Sequence, residues 1–176
     1  MKKSWITALA VPLVIAGVAG PALADKPAPK PKPAPNEHIT ITFAVSTPQS
    51  AGTVVATGPI AGNGTANAVT KGKHIGRVRV AVDTLTFGTD TVKVRAVHSH
   101  GKRTLDAATC TATQKGKGAF RIKGGTGAYA KAKGHGKFTV TATIVGTKDA
   151  SSPKGCSFKT PTGTIVIDAT ATVTIT

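Results

Sequence analysis

"GGTGAYAKAKGHGKF", Gly124 to Phe138, is rich in glycine and lysine and carries one tyrosine, Tyr129. Two readings compete for it. A phosphate loop of the P-loop kind needs Gly-Lys followed by Ser or Thr, after a strand and at the start of a helix. Here Gly136-Lys137 is followed by Phe138, and no amphipathic helix pattern comes next. The dinucleotide fingerprint needs a strand–turn–helix unit with an acidic residue further on, and it fails on the same ground. The remaining account is steric. Gly124, Gly125 and Gly127 permit positive φ and close backbone approach. Tyr129 is then expected to plug the core, while Gly134 and Gly136 let the next strand coil, as a barrel corner requires.

The segments around this corner alternate with period two. In "HITITFAVS" the residues Ile39, Ile41, Phe43 and Val45 share one face. Val78, Val80 and Val82 alternate with Arg77 and Arg79, and Val92 and Val94 with Lys93 and Arg95. "AFRIKG" puts Phe120 and Ile122 on one side, Arg121 and Lys123 on the other. "KFTVTATIVG" and "GTIVIDATATVTIT" continue the pattern to the chain end. Strict alternation is the mark of half-buried strands. Asn63-Gly64 reads as a hairpin turn. About eight strands and no convincing helix result. A last strand that pairs with the first removes both sheet edges. The expected fold is all-β, an eight-stranded antiparallel β-barrel, with a β-sandwich as the alternative.

The N-terminus is not part of that fold. Lys2 and Lys3, an apolar run from Trp5 to Val18, and Ala22-Leu23-Ala24 form a secretory leader with cleavage expected after Ala24. "DKPAPKPKPAPN" then alternates Pro with Lys or Ala and reads as an extended spacer. The expected organisation is a signal peptide over 1–24, a Pro/Lys-rich linker over 25–37 and a barrel domain over 38–176. No later segment is apolar enough for a membrane span.

Charge and cysteine usage point the same way. The chain carries 23 Lys and Arg against 7 Asp and Glu, a net of +16, and loss of the leader removes only Lys2 and Lys3. Such a surface attracts polyanions. For a secreted protein these are acidic wall polymers or other extracellular polyanions; a solvated, solubilising charge is the alternative. The basic surface is expected at Arg77, Arg79, Lys93, Arg95, Arg121 and Lys123, alternating with apolar neighbours and so facing outward. Aromatics do not interleave with them, so specific nucleic-acid recognition is not expected. Cys110 and Cys156 are expected to form a disulfide in an oxidising compartment.

"GKGAFRIKGGTGAYAKAKGHGKFTV", Gly116 to Val140, resembles the signature corner of the allene oxide cyclase and dirigent barrels, a Gly-Gly-(Thr/Ala)-Gly-x-aromatic segment followed by a small-residue strand entry. It is similar in particular to the secreted actinobacterial barrels of this type. The resemblance is specific over that corner and holds at pattern level elsewhere. It implies an eight-stranded barrel with a cavity, a homo-oligomer by analogy with plant members, and an isomerase, cyclase or dirigent-type activity on a hydrophobic substrate. In the family an Arg (dirigent) or Glu (cyclase) directly follows the motif aromatic. Here Ala130 stands in that place, and a methyl group neither donates a proton nor stabilises charge.

The remaining candidates follow from residue type. Asp83 and Asp168 interrupt apolar strands and are candidate catalytic or anchoring carboxylates if they face a cavity. Tyr129 and Lys131 are candidate ligand contacts. His98 and His100 share a strand face and, with His135 or Asp106, form a weak candidate metal set. No cofactor is called for. The functional expectation is non-catalytic binding of an apolar small molecule inside the barrel or an anionic cell-surface polymer outside it, with the isomerase or cyclase as alternative.

Overall fold

The computed structural model describes residues 33–45, 51–67, 72–75, 78–99 and 101–176. The chain divides into two units at Lys32/Pro33. The expected signal peptide over 1–24 and most of the expected linker lie outside the described residues. Everything below concerns the unit from Pro33 onward.

Among the described residues ten strands follow in chain order: β1 (Glu37–Ala44), β2 (Gly52–Thr57), β3 (Gly62–Ala66), β4 (Gly72–Ile75), β5 (Val78–Phe87), β6 (Asp90–Ser99), β7 (Arg103–Asp106), β8 (Thr111–Gly125), β9 (Lys133–Lys148) and β10 (Cys156–Thr174). Two single 3-10 turns, at Gly127–Tyr129 and Pro153–Gly155, are the only helical pieces among the described residues. No described helix is long and apolar enough to cross a membrane.

All pairings are antiparallel and they close. The order β3-β2-β1-β10-β9-β8-β6-β5 returns to β3 through Thr65↔Thr86 and Ala66↔Leu85. The molecule is thus an eight-stranded antiparallel β-barrel, which leaves no long unpaired edge. β4 lies against the start of β5, and β7 against the start of β8, outside the ring. The first and last ring strands do pair, β1 with β10 from Glu37↔Ala171 to Ala44↔Thr164. The closing seam, however, is the two-residue contact of β3 with β5.

The barrel begins slightly earlier than the sequence pattern puts it. Asn36 donates through its backbone N–H to Ala171 O and through Nδ2 to Val173 O, and its Oδ1 accepts from Val173 N–H at 2.8 Å. The amide side chain imitates a strand backbone and starts the ladder one residue before Glu37.

The predicted turn at Asn63-Gly64 is not a turn. Both residues sit within β3, and the chain reverses instead through Gly58–Ile60. Gly58 has φ +132° and Gly62 φ +124°, angles that glycine alone adopts easily. Gly64 is needed for packing: a Cβ there would lie 2.9 Å from the Phe87 ring and 2.3 Å from Thr86 O.

That pairing of ring and glycine recurs throughout the barrel. Gly118 faces Phe138 and Gly136 faces Phe120 across the β8–β9 ladder. A Cβ on Gly118 would come within 2.4 Å of the Phe138 ring, and one on Gly136 within 2.7 Å of the Phe120 ring. Gly52 meets Phe43 at 2.7 Å and Gly146 meets Phe158 at 3.0 Å in the same way. All five phenylalanines of the chain therefore lie over a glycine. The ring covers backbone that would otherwise be bare, and the strand bends where no side chain resists. Around these pairs Ile39, Val54, Leu85, Val92, Ile122, Ala171 and Val173 complete the buried core.

The corner at Gly124–Phe138 follows the steric account. Gly124 and Gly127 have φ +93° and +55°. A Cβ on Gly125 would collide with Thr91 O, so β8 passes against the β5–β6 hairpin too closely for any side chain there. Asp90 accepts from Ala128 N–H at 3.1 Å, and Thr91 and Thr126 exchange backbone and hydroxyl hydrogen bonds. Tyr129 packs edge-on against Phe87, ring centroids 5.8 Å apart.

The Cys110–Cys156 disulfide is present, with Cα atoms 5.5 Å apart. It ties the β7–β8 turn to the start of β10, where a register shift between Ser157 and Thr162 interrupts the β9–β10 ladder.

Candidate functional site

The strands of the barrel sort their residues by parity, so the candidates divide between the interior and the outer face. Inside, Ile39, Ile41, Leu85, Phe120, Phe138 and Ile167 help line a cavity of about 70 Å3. Asp83, half-buried on β5, lines the same cavity among apolar neighbours. The space is no larger than a water or two, well short of the roughly 300 Å3 or more typical of small-molecule sites.

Asp168 takes the opposite side. It points outward from β10 between Ile167 and Ala169, and its carboxylate meets His38 Nε2 at 2.8 Å in an exposed hydrogen bond. The two candidate carboxylates are not brought together. Asp106 is a turn-former: it accepts from Ala108 N–H and Thr109 Oγ1, bonds that hold its carboxyl below the usual range. His135 stands exposed on β9 opposite Arg121. The side chain of His98 and the whole of His100 lie outside the described residues. Among the described residues no three His, Cys, Asp or Glu side chains gather as a metal set.

The alternation of β6, β8 and β9 builds a different kind of site on the outer face. Arg95 stands opposite Arg121, Arg121 opposite His135, and Lys123 opposite Lys133. All five are exposed. Side chains directly opposite on neighbouring strands sit about 5 Å apart at Cβ, where like charges repel. Among the described residues no carboxylate pairs with Arg95, Arg121, Lys123 or Lys133. Lys131, from the loop after the 3-10 turn, joins Arg121, Lys123, Lys133 and His135 around an open groove of about 700 Å3. Lys93 extends the surface on β6. Arg77, also expected here, lies outside the described residues; Arg79 is on β5, and its side chain is likewise not described.

One functional-looking residue escaped the sequence reading. Glu37, the first residue of β1, is 3% exposed and is the one buried charged side chain among the described residues. Its Oε2 accepts from Ile60 N–H at 2.8 Å, while Oε1 has no partner. Burial pushes the carboxyl up to about 7, against the opposing pull of the Ile60 N–H and of nearby His38. The signal was in the alternation: Glu37 shares the parity of Ile39, Ile41 and Phe43, so a strand starting there turns it inward. Its job is structural. It holds the Gly58–Ile60 reversal, where Ile60 is completely buried.

No protein-family model matches the chain, and neither curated proteins nor solved structures show a significant similarity to it. The reading of the site therefore rests on its own geometry.

Proposed function

We propose that this is a secreted, non-catalytic barrel that binds an anionic cell-surface or extracellular polymer through the outer face of β6, β8 and β9. The observation that carries the reading is the row of like charges placed opposite one another without carboxylate partners. Each such pair costs the fold a few tenths of a kcal/mol or more, and a bound polyanion removes that cost. Secretion is supported by the leader pattern at the N-terminus and by a disulfide of the kind that persists in oxidising compartments.

The interior supports this choice over the alternatives. A hydrophobic ligand, or the substrate of an isomerase or cyclase of the allene oxide cyclase or dirigent type, needs more room than the cavity of about 70 Å3 that the described residues enclose. Ala130, directly after Tyr129, is exposed at the corner and brings no charge to the barrel interior.

The test is binding to isolated cell-wall material across a salt series. Retention above physiological ionic strength, with the logarithm of affinity falling linearly against the logarithm of salt, is the expected result. Release at or below physiological salt contradicts the reading and leaves the charge a solubilising feature. The processed protein recovered from the medium is expected to begin at Asp25.

A further inference from the structure

The inference that follows rests on the polyanion reading and names the chemistry of the polymer. We infer that the groove between β8 and β9 takes a base-free phosphodiester chain, a polyol phosphate with three carbons per repeat, lying along the strands.

The spacing comes first. Lys133, His135 and Lys137 occupy three successive outward positions of β9, and Arg121 and Lys123 two successive ones of β8. Alternate residues of a strand are six backbone bonds and about 7 Å apart. A polyol phosphate with three carbons between phosphates also places six bonds between successive phosphorus atoms, so its extended repeat is about 7 Å as well. A chain laid along β9 brings successive phosphates to the donors of Lys133, His135 and Lys137 without bending. The cross-strand partners Arg121, opposite His135, and Lys123, opposite Lys133, reach the phosphates at those two positions from the side, while Lys137 stands opposite Ala119.

The donor set comes second. The charged side chains of the groove are Arg, Lys and His, and its lining contains no carboxylate. A phosphodiester offers only acceptor oxygens, which suits a site built of donors, and guanidinium matches phosphate geometry with two parallel bonds. Uronate polymers carry their carboxylates on rigid sugar rings rather than along a flexible six-bond backbone, and Thr172 and Thr174 in the lining can accept from the free hydroxyl of a polyol phosphate. Single-stranded nucleic acid shares the six-bond repeat, but its bases need aromatic platforms. No described aromatic side chain lines the groove: Phe43, Phe87, Phe120 and Phe138 are buried, Phe158 is half-buried over Gly146, and Tyr129 is packed on Phe87.

The experiment measures affinity of the intact protein for four probes of matched charge number at about 0.15 M salt: poly(glycerol phosphate), polygalacturonate, single-stranded oligothymidylate and duplex DNA. Poly(glycerol phosphate) is expected to bind at least about ten-fold tighter than the other three. The R121Q/K123Q double variant is expected to lose about ten-fold or more and to flatten the salt slope by roughly 1.4, two phosphate contacts at about 0.7 each. Circular dichroism confirms that the variant folds; both positions are exposed, so it serves as a fair test. Equal binding of polygalacturonate overturns the phosphodiester assignment and leaves the polyanion reading standing. Tighter binding of either DNA overturns it in favour of nucleic acid. Failure of all four probes overturns both readings. An unchanged salt slope in the double variant removes the groove as the site.

Discussion

The two faces of the β8–β9 ribbon obey different rules although their residues alternate in one sequence. On the inner face Gly118, Phe120, Gly136 and Phe138 interlock, ring over glycine, and a single added methyl has nowhere to go. On the outer face Arg121, Lys123, Lys133 and Lys137 are exposed, and like charges stand opposite one another in the ladder. The inner residues are explained by the fold. The outer ones are not: like charges set opposite one another oppose folding, and the proposed polyanion gives that arrangement a role. That contrast separates scaffold from candidate site.

The comparison is sharpened by ranking what each region contributes. The largest expected effect is loss of the Cys110–Cys156 bridge. Its separation of 46 residues predicts about 4 kcal/mol of destabilisation in C110S/C156S on the chain-entropy model. Urea unfolding of the variant against the parent reads it directly; a change under about 1 kcal/mol shows that the denatured chain was not constrained as supposed.

Glu37 comes next. The folded state holds this proton up to about pH 7, whereas the carboxyl's ordinary value is 4.5. The folded chain therefore binds more protons over that window, and stability falls as pH rises from 4.5 to 7, by about 3 kcal/mol in total. E37Q keeps an acceptor for the Ile60 N–H and abolishes this slope. Denaturation midpoints at pH 4.5 and 7.5 check it, and an identical slope in the variant assigns the effect elsewhere.

Smaller again is G136A. The added methyl meets the Phe120 ring at 2.7 Å and Thr170 O at 2.2 Å, an overpacking expected to cost about 1–3 kcal/mol. Thermal unfolding measures it. Its outward neighbour K137A is expected to stay within about 0.5 kcal/mol of the parent. Equal effects at the two positions would erase the distinction between the faces.

How much of this was legible in the sequence depends on which interaction carried the information. Period two is local, so Phe120 and Ile122 inward with Arg121 and Lys123 outward could be read from four residues. The corner glycines were legible because positive φ and close approach are properties glycine supplies in any context. Pairing is not local. Nothing in "GPIAGNGTAN" says that Gly64 is reserved for the Phe87 ring, so Asn63-Gly64 looked like a turn, and the reversal at Gly58–Ile60 depends on a glutamate twenty-three positions from Ile60. The closing seam of β3 on β5 is two residues long and left no pattern to see. Asp83 and Asp168 looked alike in sequence, each a carboxylate among apolar residues. Strand parity sends one to the cavity and the other to His38 on the surface. The cationic residues could be named one by one, but only register sets Lys123 opposite Lys133.

One comparison of two quantities in one variant tests the account most directly. In R121Q/K123Q/K133Q, the unfolding free energy and the affinity for poly(glycerol phosphate) are measured side by side. The account predicts stability unchanged or raised by up to about 1 kcal/mol, as like-charge repulsion is relieved, together with loss of most of the binding. Stability lowered by more than about 1 kcal/mol, or binding that survives intact, would contradict it.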